Sequence, residues 1–473
     1  MPSASYRTLE LTLLAALASR LVLLERWSAA DLALDPALYR YATVGSGVLC
    51  VLLLRLHHWR RELLVTYVAV ALYVVSQVAA ATATTPTLLT SSWVPSPSVQ
   101  FYFSVFAIMF GFLMSAVFPL ADLATVHGVY RTIGCHTGRY GGVECRIFYP
   151  SSKEPSPLGA KGRVPYLYHG EHLAKGLNVF SKVPVWFFNN FRNAYLAAIE
   201  DAPLATPEKE EGWPLVIFSH GLAGSLELYS VVNQQVASEG NIVVVVNHCD
   251  GSASVARPDD NRVEYYQRIT PEVMRNENGE GFRFRNNQLR HRVQEIRRVL
   301  NVVSECAREE DTTGHPVLSR ADLDSVHVMG HSFGAATALT AAHVDERFRT
   351  AVLLDAWMEP VSPDVLKGLG ARIPVLHLIS DHFANWKPNF ESTKAHFQGC
   401  THPHSRLLVV RGMRHNNFSD LPLFSPSVNR LMKLAGDIDP RYALRLVGEL
   451  SAAFVRGTFD TTLSEFPEVV DAE

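Results

Sequence analysis

The sequence predicts an α/β domain, a doubly wound and mostly parallel sheet, preceded by a set of membrane-spanning helices. Three observations carry this. The pentapeptide Gly330-His331-Ser332-Phe333-Gly334 follows an apolar run and precedes a small-residue helical stretch. Downstream of about residue 128, short β-branched runs alternate with helical patterns. Ahead of that point lie several long apolar runs and not a single lysine.

The pentapeptide reads as a nucleophile elbow, a tight strand-to-helix turn that presents a serine to a base and to oxyanion-stabilising amides. A serine hydroxyl is a poor nucleophile at neutral pH, so such a turn is what makes Ser332 chemically interesting. Val326 to Met329 supplies the strand before it and Ala335 to Ala342 the helix after it. Further strands are expected at Leu215 to Ser219, Ile242 to Asn247, Thr350 to Leu354, Val375 to Ile379 and Leu407 to Val410. Several have almost no polar alternation, as buried parallel strands require. Helices are expected at Glu227 to Ala237, Gln288 to Cys306 and Tyr442 to Val455. The second of these is amphipathic with a basic outer face, a pattern of a solvated surface that could also meet lipid head groups.

In the N-terminal region, runs 63–83 and 101–121 carry no charge and reach the roughly 20 residues that span a bilayer as helix. Runs 9–24 and 41–56 are shorter or interrupted by arginine. The expected organisation is therefore a membrane region of about four helices over 1–124 and a catalytic domain over 125–473. The loop holding Arg55, Arg60 and Arg61 is basic, which places it and the catalytic domain on the cytoplasmic side. The six cysteines lack paired spacing and read as free thiols. The sequon Asn417-Phe418-Ser419 lies beside a candidate catalytic histidine, where a glycan would block the site. A formal net charge of −3 gives no reason to expect nucleic acid as a partner.

A serine nucleophile needs a base and an orienting acid, in the chain order Ser, acid, His for this sheet type. His415, in the loop after Leu407 to Val410, is the best-placed base, ahead of His343, His377, His382, His396, His402 and His404. The acid is contested on spacing, because Asp355 ends one expected strand and Asp381 the next. Oxyanion donors are expected from the amide of Phe333 and from Leu222 in Phe218-Ser219-His220-Gly221-Leu222, with His220 a hydrogen-bonding residue rather than a base.

At this point the chain resembles the platelet-activating-factor acetylhydrolase family, the plasma and intracellular type II group of calcium-independent lipid esterases. The matching stretches are Phe218 to Leu222, His248 to Ser254, Gly330 to Thr337, Arg347 to Arg349, Leu354-Asp355-Ala356-Trp357-Met358, His415 to Phe418, and Leu431 to Asp439. The resemblance implies an α/β-hydrolase fold and places the acid at Asp355. It implies Ser332 as nucleophile, His415 as base and Leu222 and Phe333 as oxyanion amides. No metal or cofactor is expected. The implied substrate is a glycerophospholipid with a short or oxidised sn-2 chain, with membrane lipid as partner. Trp186-Phe187-Phe188 and Phe191 are candidates for a lipid-facing lip. Ala335, Cys249 and Gly251 depart from the family pattern, as does the apolar N-terminus. An acyltransferase, a longer-chain phospholipase and a non-catalytic scaffold are the alternatives.

Overall fold

The computed structural model describes residues 97–119, 121, 123, 125–153, 163–207, 210–308 and 314–472, with short helical pieces at 11–12, 14–15, 63–69 and 71–72. The run 41–56, and most of 9–24 and 63–83, lie outside the described residues. The chain divides into two units, one of residues 1–122 with 189–193, the other of 123–188 with 194–473.

In the first unit, helix α1 spans Pro97–Val117 without a charged residue. Its side chains are described from Tyr102 onward. Among the described residues no helix is long and apolar enough to cross a membrane.

The second unit is built on strands β1 (Ile133–Tyr140), β2 (Val143–Pro150), β3 (Arg163–Pro165), β4 (Tyr195–Glu200), β5 (Trp213–Ser219), β6 (Ile242–Asn247), β7 (Val255–Asp259), β8 (Arg262–Tyr265), β9 (Ala321–His331), β10 (Phe348–Leu354), β11 (Val375–Ser380), β12 (Arg406–Val410) and β13 (Val469–Asp471). The helices that matter here are α2 (Glu171–Ser181), α3 (Ser230–Ser238), α4 (Glu280–Ala307), α5 (Phe333–Val344), α6 (Lys387–Gln398) and α7 (Pro440–Arg456). Among the described residues eleven strands form one sheet in the order β13-β12-β11-β10-β9-β5-β6-β2-β1-β4-β3, while β7 and β8 pair separately. From β6 to β12 all neighbours run parallel, and the β2–β6 and β12–β13 pairs are antiparallel. All six expected strands and all four expected helices are present.

The chain leaves β5 to build β6 on one side and returns to build β9 on the other. Between β5 and β9 the winding reverses, and the loops at their C-terminal ends part to leave a crevice. The core lies beneath it. Val243 to Val246 of β6 are fully buried, as are Val328, Ala351 and Leu353 of β9 and β10. Against this sheet packs α5, whose residues Phe333 to Ala342 are all buried. Its run of alanines lets the helix backbone approach the strands closely. Helix α7 shows why its boundaries fall where they do: Asp439 caps the N-terminus by accepting from the Arg441 and Tyr442 amides, Pro440 occupies the first turn, and Gly457 ends it at φ 77.

Candidate active site

Ser332 sits between β9 and α5 at φ 58 and ψ −119, a strained conformation for a residue with a Cβ. Hydrogen bonds over-determine it. The Ser332 amide donates to the Leu354 carbonyl at 2.9 Å, and the Trp357 amide donates to the Ser332 carbonyl at 3.1 Å. The flanking glycines are required by space: a Cβ on Gly334 would collide with the Ser219 carbonyl, and one on Gly330 with the Gly334 carbonyl.

Three elements bring the polar groups together. His415 begins a short 3₁₀ turn, His415–Phe418, after β12. Its Nε2 lies 3.0 Å from Ser332 Oγ and its Nδ1 lies 3.0 Å from Asp355 Oδ2. Asp355 follows β10 at φ 44 and is fully buried. Its carboxylate also accepts from the Ser380 amide at 2.6 Å and the Ser380 hydroxyl at 2.7 Å. These bonds fix the carboxylate so that Oδ2 faces the imidazole. The rings of Phe383 and His415 stack at 4.2 Å and 4°, holding the histidine's plane. Asp381 does something else. Its Oδ2 accepts from the Gly412 amide at 2.6 Å, so it caps the loop that carries His415 rather than touching the ring.

The loop of His415 is tied down a second time by buried Asp420. Its carboxylate accepts from the Ser230 and Val231 amides at 2.8 and 3.2 Å, capping α3. Burial pushes this carboxyl up to about 7.

Gly221 lies directly against the nucleophile, since a Cβ built there would meet Ser332 Cβ at 3.2 Å. Leu222, the next residue after Gly221, and Phe333, in the first turn of α5 where helix amides lack intrahelical partners, are the expected donors. His220 is fully buried, and burial together with Arg292 lowers it to about 3, so its imidazole is neutral. Its Nε2 accepts from the His248 amide at 3.2 Å.

Sequence reasoning missed what holds this oxyanion loop. The outer face of α4 carries exposed Arg290, Arg297 and Arg298, but Arg292 on the inner face is completely buried. Its guanidinium donates to the His220 carbonyl at 2.7 Å, to Asp250 Oδ2 at 3.1 Å and to Ser252 Oγ at 2.6 Å. Its Cζ also stands 4.4 Å from the Phe333 ring centroid. Three residues on, Glu295 accepts at 2.7 Å from His248 Nδ1, whose Nε2 lies 2.8 Å from Ser219 Oγ. This second Ser–His–carboxylate relay is sealed from solvent and fixes the strand end beneath the oxyanion loop.

A further buried cluster joins the segment after β3 to the segment after the oxyanion loop. His169 Nδ1 lies 2.8 Å from Glu227 and its Nε2 2.9 Å from Glu144. Burial opposes the charge on His169, but Glu227 and hydrogen bonds to both carboxylates prevail and raise it to about 9. Because the folded value lies above the ordinary 6.5, this stabilisation is complete below pH 6.5 and disappears as pH rises through 9. The thermal midpoint is expected to fall between pH 6.5 and 9, and His169→Gln is expected to flatten that fall when melting is followed by circular dichroism. An equally steep fall in the variant would contradict the assignment.

Of the expected lip residues, Trp186 is 61% exposed, whereas Phe188 and Phe191 are buried. Among the described residues Cys135, Cys145, Cys249 and Cys400 form no disulfide, and burial raises Cys135 and Cys249 to about 12.

Comparison with known proteins agrees with this architecture. The ferulic acid esterase from Streptomyces cinnamoneus shares the fold at a TM-score of 0.56, covering 75% of this chain and 100% of that one at 20% identity. The platelet-activating factor acetylhydrolase of Bos taurus is 31% identical over 340 residues, 67% of this chain and 71% of that protein. The protein of the same name from Canis lupus familiaris is 29% identical over 346 residues, again 67% and 71%. A putative phospholipase A2 of Schizosaccharomyces pombe is 26% identical over 375 residues, 66% of this chain and 83% of that protein. The profile described as platelet-activating factor acetylhydrolase, isoform II, matches residues 116–466, and the chain belongs to that family of carboxylic ester hydrolases.

Proposed function

We propose that this chain is a calcium-independent serine esterase that hydrolyses the sn-2 acetyl, short-chain or oxidised acyl ester of platelet-activating factor and related glycerophospholipids. The observation that carries this is the continuous relay from Ser332 Oγ through His415 to Asp355. His415 Nε2 takes the hydroxyl proton as Oγ attacks the ester carbonyl, and the Leu222 and Phe333 amides receive the oxyanion. Collapse expels the lysolipid alcohol, which takes the proton back from His415. Water, deprotonated by the same imidazole, then releases the fatty acid from the acyl-serine. The Asp355 carboxylate stabilises the imidazolium.

A lipid substrate suits the surroundings. Leu431, Met432 and Leu434 are exposed, and the Leu434 carbonyl accepts from the Asn416 amide next to His415. We further place residues 1–124 in a membrane as a multi-pass anchor with the catalytic domain on the cytoplasmic side, on the strength of the uncharged runs and the basic loop at Arg55 to Arg61. Release of the full chain from membranes by alkaline carbonate would refute the anchor. The activity is tested by measuring chelator-resistant release of labelled acetate and longer acyl chains from sn-2-labelled phosphatidylcholines. Release that requires added calcium, or none from any chain length, would refute the esterase.

A further inference from the structure

Away from the crevice, three chain segments bring two imidazoles and a carboxylate to one point of the surface. β1 pairs in parallel with β4, matching Cys135 with Glu200, so the next residues along, His136 and Asp201, stand side by side. Asp201 turns at φ 45 just after β4, its amide donating to the Cys135 carbonyl at 2.9 Å. That turn aims Oδ1 at His136 Nδ1, 2.7 Å away. His315, which caps the 3₁₀ turn Pro316–Arg320 leading into β9, brings Nε2 to 3.4 Å from the same oxygen. The two imidazoles stack at 4.0 Å. All three ligand atoms lie within 4.8 Å of one another.

We propose that His136, Asp201 and His315 form a binding site for a zinc-class divalent transition-metal ion. Bonds of 2.0–2.2 Å in a tetrahedral site hold their donor atoms about 3.4 Å apart. The observed 2.7 and 3.4 Å spacings to the carboxylate bracket that value, and the stacked imidazoles must part and turn their ring planes towards the ion, a movement open to partly exposed side chains. Two imidazole nitrogens and one carboxylate favour zinc, nickel, copper or cobalt over calcium or magnesium. In the metal-free protein Asp201 Oδ1 pairs with His136 Nδ1, and an arriving aqua ion would take the place of that contact and keep water in the open fourth position. The Val317 amide reaches His315 Nδ1 at only 3.4 Å, weak enough to yield that nitrogen to a proton when Nε2 takes the metal.

The site is not part of ester hydrolysis. β1 stands four strands from β9 in the sheet, about 19 Å across. A metal there clips β1, the turn after β4 and the entry to β9 together, crosslinking residues far apart in sequence at the antiparallel end of the sheet.

The test uses the detergent-solubilised full chain, stripped with chelator and titrated with Co²⁺ and then Zn²⁺. One equivalent of Co²⁺ is expected to give visible d–d absorption of tetrahedral intensity without a thiolate charge-transfer band, and Zn²⁺ is expected to displace it. Zinc should raise the thermal midpoint by about 2 °C or more. Both signals should vanish in His136→Gln and in His315→Gln, the latter serving if the strand substitution does not fold. Absence of the bands, a thiolate band, or signals that persist in the variants would overturn the site.

Discussion

Ser332→Ala is expected to lower kcat for sn-2 ester release by at least about 10⁴-fold while leaving the fold intact, because it removes the hydroxyl paired with His415 that would form the acyl-enzyme. Asp355→Asn should come close to the same loss, since the amide cannot stabilise an imidazolium and favours the wrong tautomer of His415. Asp381→Asn should act differently. Its carboxylate holds the Gly412 amide and never reaches the ring, so a loss of about tenfold or less is expected, together with a modest drop in stability. Single-turnover assays on the three variants check this. Full activity in Ser332→Ala, or a larger loss in Asp381→Asn than in Asp355→Asn, would contradict the assignment.

Arg292→Met is expected to be the most damaging change away from the triad. Methionine fills much of the volume but strands the Asp250 carboxylate in a buried position, which typically costs 3–5 kcal/mol. It also frees the His220 carbonyl and removes the cation over Phe333, loosening both walls of the oxyanion site. A fall in kcat of about 10²-fold is expected, comparable to losing one oxyanion donor, with KM little changed. Adding Asp250→Asn removes the stranded charge. The double variant should regain part of the thermal midpoint but none of the kcat. Parallel recovery of both would show that Arg292 serves stability alone.

How far the sequence could be read depends on which residues carried the pattern. β6 was legible because Ile242 to Val246 are all apolar and the strand is buried on both faces. β1 and β4 were not, because His136, Thr137, Gly138 and Arg139 interrupt the apolar pattern of a strand that is only half-covered. The start of α3 falls at Ser230 rather than Glu227, since the Glu227 side chain is committed to His169. Ser332 and His415 stood out by motif and loop position, whereas spacing could not choose between Asp355 and Asp381, and the family resemblance favoured the former. Arg292 left a faint signal. It falls on the 285, 288, 292, 295, 299 stripe, which is buried although only Val299 in it is apolar, and such polar residues beside the apolar Leu289, Val293, Ile296 and Leu300 mark buried partners. No spacing rule could have joined His136, Asp201 and His315, which meet through the pairing of β1 with β4 and the turn that leads into β9.

The two hydrogen bonds between the nucleophile's turn and the acid's turn have a mechanical meaning. Leu354 and Trp357 bracket Asp355 and both bond the backbone of Ser332, so nucleophile and acid form a single rigid part. The base arrives separately, on a loop pinned by the Asp381 and Asp420 carboxylates and by the face of Phe383. The triad is therefore assembled from two parts, and the joint between them is the pair of contacts that His415 makes with Ser332 and Asp355. Gentle heat or dilute denaturant that slackens residues 411–420 would silence the enzyme while its sheet still stands, and cooling would return the ring to a partner that never moved.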